Sequence, residues 1–230
     1  MCAVFVIGRN GSKEGYIMKT NKVDSTLLAQ LALLIAIEII MRLTGLGNVP
    51  VGPLYMSFLT LPIAVGAMMV GPIGGVVLGA VFGFISFWDS VTGGSVMGSI
   101  LFQINPVHSF ILCVVTRVLM GFCTGYIFKA VRKIDHTKTW SYFVGALSAP
   151  LLNTLFFMSY LCIAFYNTDY VQGLVSSVGA TNPFMFVALL VGIQALVEAG
   201  VCGILGGIVC KALATAMRGK IHADEVKARA

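Results

Sequence analysis

The chain has 230 residues, of which 58% are hydrophobic and only 10% charged, with a mean hydropathy of +0.94 and a formal net charge of +6. A water-soluble domain carries roughly a quarter charged residues, so this composition excludes a soluble enzyme and indicates an integral membrane protein. The basic residues sit in short segments between apolar runs, which makes the charge an orientation signal rather than a nucleic-acid footprint.

In chain order, residues 1–23 are mixed in character, and their apolar run CAVFVIG is too short to span a bilayer. Met18 opens MKTNK, a second candidate translation start. The stretch 25–46, STLLAQLALLIAIEIIMRLTGL, predicts a first helix over about 24–44. Ser25, Ala29, Ala32 and Ala36 recur at steps of four, three and four and share one helical face. Small residues at such steps let another helix approach closely within lipid, so this face is expected to dock onto a partner subunit. Leu27, Leu31, Leu34 and Ile35 lie on the other side and suit lipid or a bundle interior.

The next segment, GLGNVPVGPLY over 45–55, holds three Gly and two Pro and cannot be helical throughout. At membrane depth such backbone is tolerated only where protein or water covers it, which suits a lid over a cavity. A short second helix is expected over about 56–70 and a third over 75–88. The third carries Gly75, Gly79 and Gly83 on one face, a signature of very close packing on a neighbour. A second loop covers 89–104, and Asn105-Pro106 opens a fourth helix to about 131. After the charged stretch KAVRKIDHTKT, a fifth helix runs over about 140–166. A polar third loop then leads to Asn182-Pro183 and a sixth helix to about 217.

The expected fold is therefore an all-α membrane protein with six transmembrane helices. Residues 1–23 form an N-terminal segment, 24–217 the membrane domain and 218–230 a charged tail. Every Lys and Arg except Arg42 and Arg117 falls in the N-terminal segment, the loop between helices four and five, or the C-terminal end. Positive charge stays on the cytoplasmic side, so both termini are expected there, with the three Gly/Pro/Asn-rich loops facing outward. Trp88 and Trp140 then fall at opposite interfaces.

Glu38, Arg117 and Glu198 lie within spans, where charge is costly and needs a partner. Glu38 and Arg42 are four residues apart and can form a local ion pair. Arg117 and Glu198 stand at similar depths, about 18 and about 22 Å from their helix starts at roughly 1.5 Å per residue. Arg117 can pair with Glu198, bond backbone carbonyls, or hold a substrate carboxylate with two hydrogen bonds. Among neutral groups, Asn153 with Thr154 and Gln194 lie mid-helix, Gln103 and Asn105 at the outer end of helix four, and Asn48 and Tyr55 in the proposed lid. With Arg117, these form the candidate binding set: Asn48, Tyr55, Gln103, Asn105, Arg117, Asn153 and Gln194. His108 is alone and reads as structural, so no metal site is expected.

The Ala-x-x-x-Ala first helix, followed by LGNVPVGPLYMSFLTLPIAVGAMMVGPIGGVVLGAVFGFISF and then TRVLMG, resembles the S component of an energy-coupling factor (ECF) vitamin transporter. The resemblance covers roughly 24–217 and is most specific over 45–87. It implies a six-helix, multi-pass subunit of a prokaryotic plasma membrane that binds one vitamin, most similar to pantothenate-type members. It also implies partnership with a transmembrane coupling subunit and two ATPase subunits. Docking would run through the first helix at Ala32 and Ala36, with Ala29 on the same face, and the 45–55 loop would gate the pocket.

The sequence contains no G-x-x-x-x-G-K-[ST] loop and no H-E-x-x-H. ATP would thus be used by the partner subunits, this chain would carry no cofactor, and it is not expected to be an enzyme. Pyridoxine-like compounds, riboflavin and cobalamin stay open as substrates. The alternative is a stand-alone secondary transporter or channel, for which Arg117 and Glu198 provide a meagre ion relay and no inverted repeat is evident.

Overall fold

The structure, a computed structural model, describes residues 25–51, 54–135 and 139–229. Helix α1 (Ser25–Leu43) leads into a short antiparallel hairpin of β1 (Asn48–Val51) and β2 (Leu54–Ser57), in which Asn48 pairs with Ser57 and Pro50 with Tyr55. Then follow α2 (Thr60–Met69), α3 (Pro72–Thr92) and α4 (Val96–Ile104). Helix α5 (Pro106–Phe110), a π-helical turn (Ile111–Val115) and α6 (Thr116–Ile134) form one continuous rod. Helices α7 (Trp140–Phe165), α8 (Asp169–Ser177) and α9 (Pro183–Arg229) complete the chain.

Apart from the hairpin, the described residues are mostly helical, joined by short turns. Among the described residues, four stretches are long and apolar enough to cross a membrane: Pro72–Thr92, Pro106–Ile134, Trp140–Phe165 and Gln194–Ala212. Helix α2 has ten residues, about 15 Å at 1.5 Å per residue, half of a bilayer core. It starts later than the sequence suggested, because Met56 and Ser57 are paired to Val49 and Asn48 of the hairpin.

Three further segments depart from the sequence reading. The second loop is mostly helix: α3 continues to Thr92, and α4 is capped by Ser95, whose hydroxyl accepts the Gly98 N–H at 3.2 Å. The third loop contains α8. The last helix extends to Arg229 rather than ending near 217.

Prolines and asparagines set the helix starts as expected. Asn105 Oδ1 accepts the N–H groups of Val107 and His108, both at 3.1 Å, and Asn182 Oδ1 accepts that of Met185 at 2.8 Å.

The closest internal seam joins α3 to α6. A methyl group on Gly75 would fall on the carbonyl of Gly121, one on Gly121 on the carbonyl of Gly75, and one on Gly79 on the carbonyl of Arg117. The backbones therefore touch, as the glycine spacing implied. Around this seam lies one apolar cluster that includes Ile63, Leu78, Phe82, Met120, Phe128 and Tyr142, with Leu34, Ile35 and Met41 of α1 packed against it. A second cluster joins α4, α7, α8 and the start of α9 through Leu101, Met158, Phe165, Val175 and Phe186. Helix α1 presents Ala29, Ala32 and Ala36 outward, all exposed. Trp88 and Trp140 are also exposed, at 68% and 69%.

Candidate functional site

Between the two clusters lies a cavity of about 160 Å³. One water needs on the order of 10–15 Å³ by the same kind of measure, so the space suits a small organic molecule rather than a lone ion. Helix α3 contributes Phe82, Ser86 and Ser90, and α4 contributes Met97, Gly98 and Leu101. The rod around the π turn contributes Ser109, Leu112, Cys113 and Arg117; α7 adds Asn153, Thr154, Phe157 and Met158; α9 adds Val191, Gln194 and Glu198. Ser57, at the end of β2, and the pair Arg42 and Asp89 also face it.

Arg117 is buried, and its own helix holds it in place. Its Nη1 donates to the carbonyls of Leu112 at 3.0 Å and Cys113 at 3.1 Å. Both acceptors belong to the π-helical turn that precedes it, a departure from α geometry that recurs at functional sites. The guanidinium carbon lies over the rings of Phe82 at 4.6 Å and Phe157 at 5.1 Å, so α3 and α7 both contribute to its orientation. Its Nε is buried without a hydrogen-bond partner, and so is the hydroxyl of Ser109. Buried polar atoms are nearly always paired, and neither of these two has surface open to the cavity.

Glu198 is 4% exposed and is anchored separately. The Ser57 N–H donates to Oε2 at 3.3 Å, and the Thr60 hydroxyl lies 3.5 Å from Oε1. Thr60 also stands 3.0 Å from the Ser57 carbonyl, and its single proton serves one acceptor at a time.

Among the described residues, Arg117 and Glu198 form no ion pair; of the alternatives open in the sequence, backbone carbonyls hold Arg117. The expected pair between Glu38 and Arg42 is not formed either. Arg42 instead reaches from the end of α1 to Asp89 of α3, with Nη2–Oδ1 at 2.6 Å and Nε–Oδ2 at 2.8 Å. Glu38 faces inward, fully buried, and neither of its carboxyl oxygens has a hydrogen-bond partner among the described residues.

Of the seven candidate binding residues, the cavity brings together Arg117, Asn153 and Gln194. Gln103 is exposed and Asn105 caps α5, so neither lines it. Asn48 and Tyr55 lie in the hairpin, and their side chains fall outside the described residues. His108 bonds the Tyr160 hydroxyl at 2.8 Å, away from the cavity. Sequence reasoning missed the serines. Ser86 and Ser90 share the face of α3 that carries Phe82, a four-residue repeat that was visible but unweighted. Among the described residues, no group of three or more His, Cys, Asp or Glu is placed to hold a metal.

Residues 26–210 match the family model of the ECF transporter, substrate-specific component. The chain belongs to that family. Comparison with curated proteins finds no match. As an ECF substrate-specific component, the chain is a transporter subunit rather than an enzyme, and such components bind a small molecule and work with an ECF module. The apolar helices of membrane-crossing length, the cavity and the family agree.

Proposed function

We propose that this ECF component captures a vitamin in the cavity beside Arg117 and hands it inward in a complex with a transmembrane coupling subunit and two ATPases. Pantothenate is the first candidate. The observation that carries the reading is Arg117, buried in the cavity wall and preset by two carbonyls and two rings. A guanidinium held in this way costs little further ordering when a carboxylate arrives.

In this account the chain spans a prokaryotic plasma membrane six times, with both termini cytoplasmic as the Lys and Arg distribution suggests. The hairpin and its flanks, 45–55, close over the ligand. Ala29, Ala32 and Ala36 form the docking face for the coupling subunit, supported by their exposure on α1.

The test is reconstitution in liposomes. The chain alone should bind pantothenate without accumulating it, and uptake should require the coupling module and ATP. Accumulation by the chain alone under an ion gradient would establish the secondary-transporter alternative instead.

A further inference from the structure

The cavity reaches the surface beside the turn that joins α3 to α4. Of the residues that line it, Gly94 in that turn is exposed, while the rest are buried or half-buried. The turn closes on itself: Ser95 donates its N–H to the Asp89 carbonyl at 3.3 Å, and Gly93 takes φ 87°, a backbone conformation that glycine adopts without steric cost. Against this turn lies the pair of Arg42 and Asp89. A methyl group on Gly94 would stand 3.1 Å from Asp89 Oδ1 and 3.4 Å from Arg42 Nη2. Both charged side chains also line the cavity, so the pair sits where the internal space meets the surface.

The pair joins two elements that are free to part there. Arg42 is in the last turn of α1, and its carbonyl accepts the Gly45 N–H at 3.2 Å at the root of the hairpin. Asp89 is in the last turn of α3. Two bonds, at 2.6 and 2.8 Å, hold the guanidinium side-on to the carboxylate, a geometry that fixes direction as well as distance. Yet both side chains are half-buried, and a pair within reach of water separates at modest cost. Such a contact is strong enough to keep an opening shut and weak enough to release it.

We infer that the Arg42–Asp89 pair is the gate of the cavity, and that entry waits on its local opening. The inference concerns access alone and holds whichever molecule enters. The chain carries its own reporter. Cys113 is buried, lines the cavity and has its sulfur 3.7 Å from the hydroxyl of Ser90, the residue after Asp89. Cys210 is equally buried but belongs to the cluster around the α3–α6 seam and does not line the cavity. It reports any general loosening of the fold.

The experiment measures thiol modification of the full chain in detergent, with the peptides that hold Cys113 and Cys210 followed by mass spectrometry. Two methanethiosulfonate reagents are used, one bearing a sulfonate and one a trimethylammonium group. Arg42→Gln and Asp89→Asn should each speed modification of Cys113 about fivefold, the upper end for a part-exposed ion pair. The double variant should be no faster than either single one, because both remove the same contact. Cys210 should keep its rate throughout. A change of local charge alone would speed one variant and slow the other with a given reagent, whereas a released gate speeds both variants with both reagents.

Equal Cys113 rates in the parent and the two variants, including no modification in any of them, overturn the gate. So does a double variant that gains the single-variant factor twice, or a charge-signed pattern. A parallel rise at Cys113 and Cys210 also overturns it, since the pair would then only hold the fold together. None of these readouts uses a ligand, so their failure leaves the vitamin-binding reading to be decided by the liposome assay.

Discussion

Helices α1 and α3 carry the same sequence device and use it differently. Both place small residues on one helical face, Ala29, Ala32 and Ala36 at steps of three and four on one and Gly75, Gly79 and Gly83 at steps of four on the other. On α3 the stripe is consumed within the chain, against the backbone of α6 at Gly121 and Arg117 and of the π turn at Val114. On α1 the stripe faces outward, while Leu34, Ile35 and Met41 on the other side meet the core. A small-residue stripe states that a helix will approach closely; it does not state which helix. The α3 seam also bears on the site, because the backbone it contacts is that of Arg117.

The sharpest way to break the contrast is a side chain in the seam. Gly121→Val puts a branched group onto the Gly75 carbonyl, where only backbone could yield. We expect a loss of about 3 kcal/mol or more, at or above the usual overpacking cost, and loss of ligand binding with it. Thermal denaturation in detergent measures this, and an unchanged melting temperature would mean the helices are not in backbone contact.

Ala36→Trp makes the matching change on α1. Folding and ligand affinity should stay within about 0.5 kcal/mol of the parent, as for other exposed sites. ATP-driven uptake by the assembled complex should be abolished. If uptake survives, the outward stripe is not the docking face.

Two smaller effects sharpen the account of α1. Glu38→Leu removes an unpartnered buried carboxyl from its inner face and is expected to be neutral or to stabilise by about 1–2 kcal/mol. A destabilisation by thermal melt would mean that Glu38 has a partner in the membrane. Asp89→Asn weakens the tie between α1 and α3. Its side chains are 29% and 13% exposed, so the expected loss is no more than about 1 kcal/mol, seen as a small shift in melting temperature.

Much of the fold was legible because its signals are local. Asn105-Pro106 and Asn182-Pro183 cap helices by hydrogen bonds within three residues. The helix that begins at Trp140 ends within a residue of its expected limit. The misses are of another kind. Met56 and Ser57 belong to a hairpin because residues on the facing strand pair with them. The segment 89–104 is polar enough to pass for a loop, yet a Ser95 cap and burial of Met97 and Leu101 make its second half a helix. The choice of Asp89 over Glu38 as partner for Arg42 spans 47 residues, beyond the range of an i,i+4 rule.

The sequence by itself determined that the chain is a membrane protein, where its main helices start and which family it resembles, since composition, capping residues and motif order need no third dimension. Tertiary structure decided which small stripe is buried and which is left facing outward. It also decided that Arg117 and Glu198 face one cavity without a contact ion pair, and that Ser86, Ser90 and Ser109 share that cavity with them. These outcomes depend on distances between helices far apart in the chain, and such distances are set only when the whole bundle packs at once.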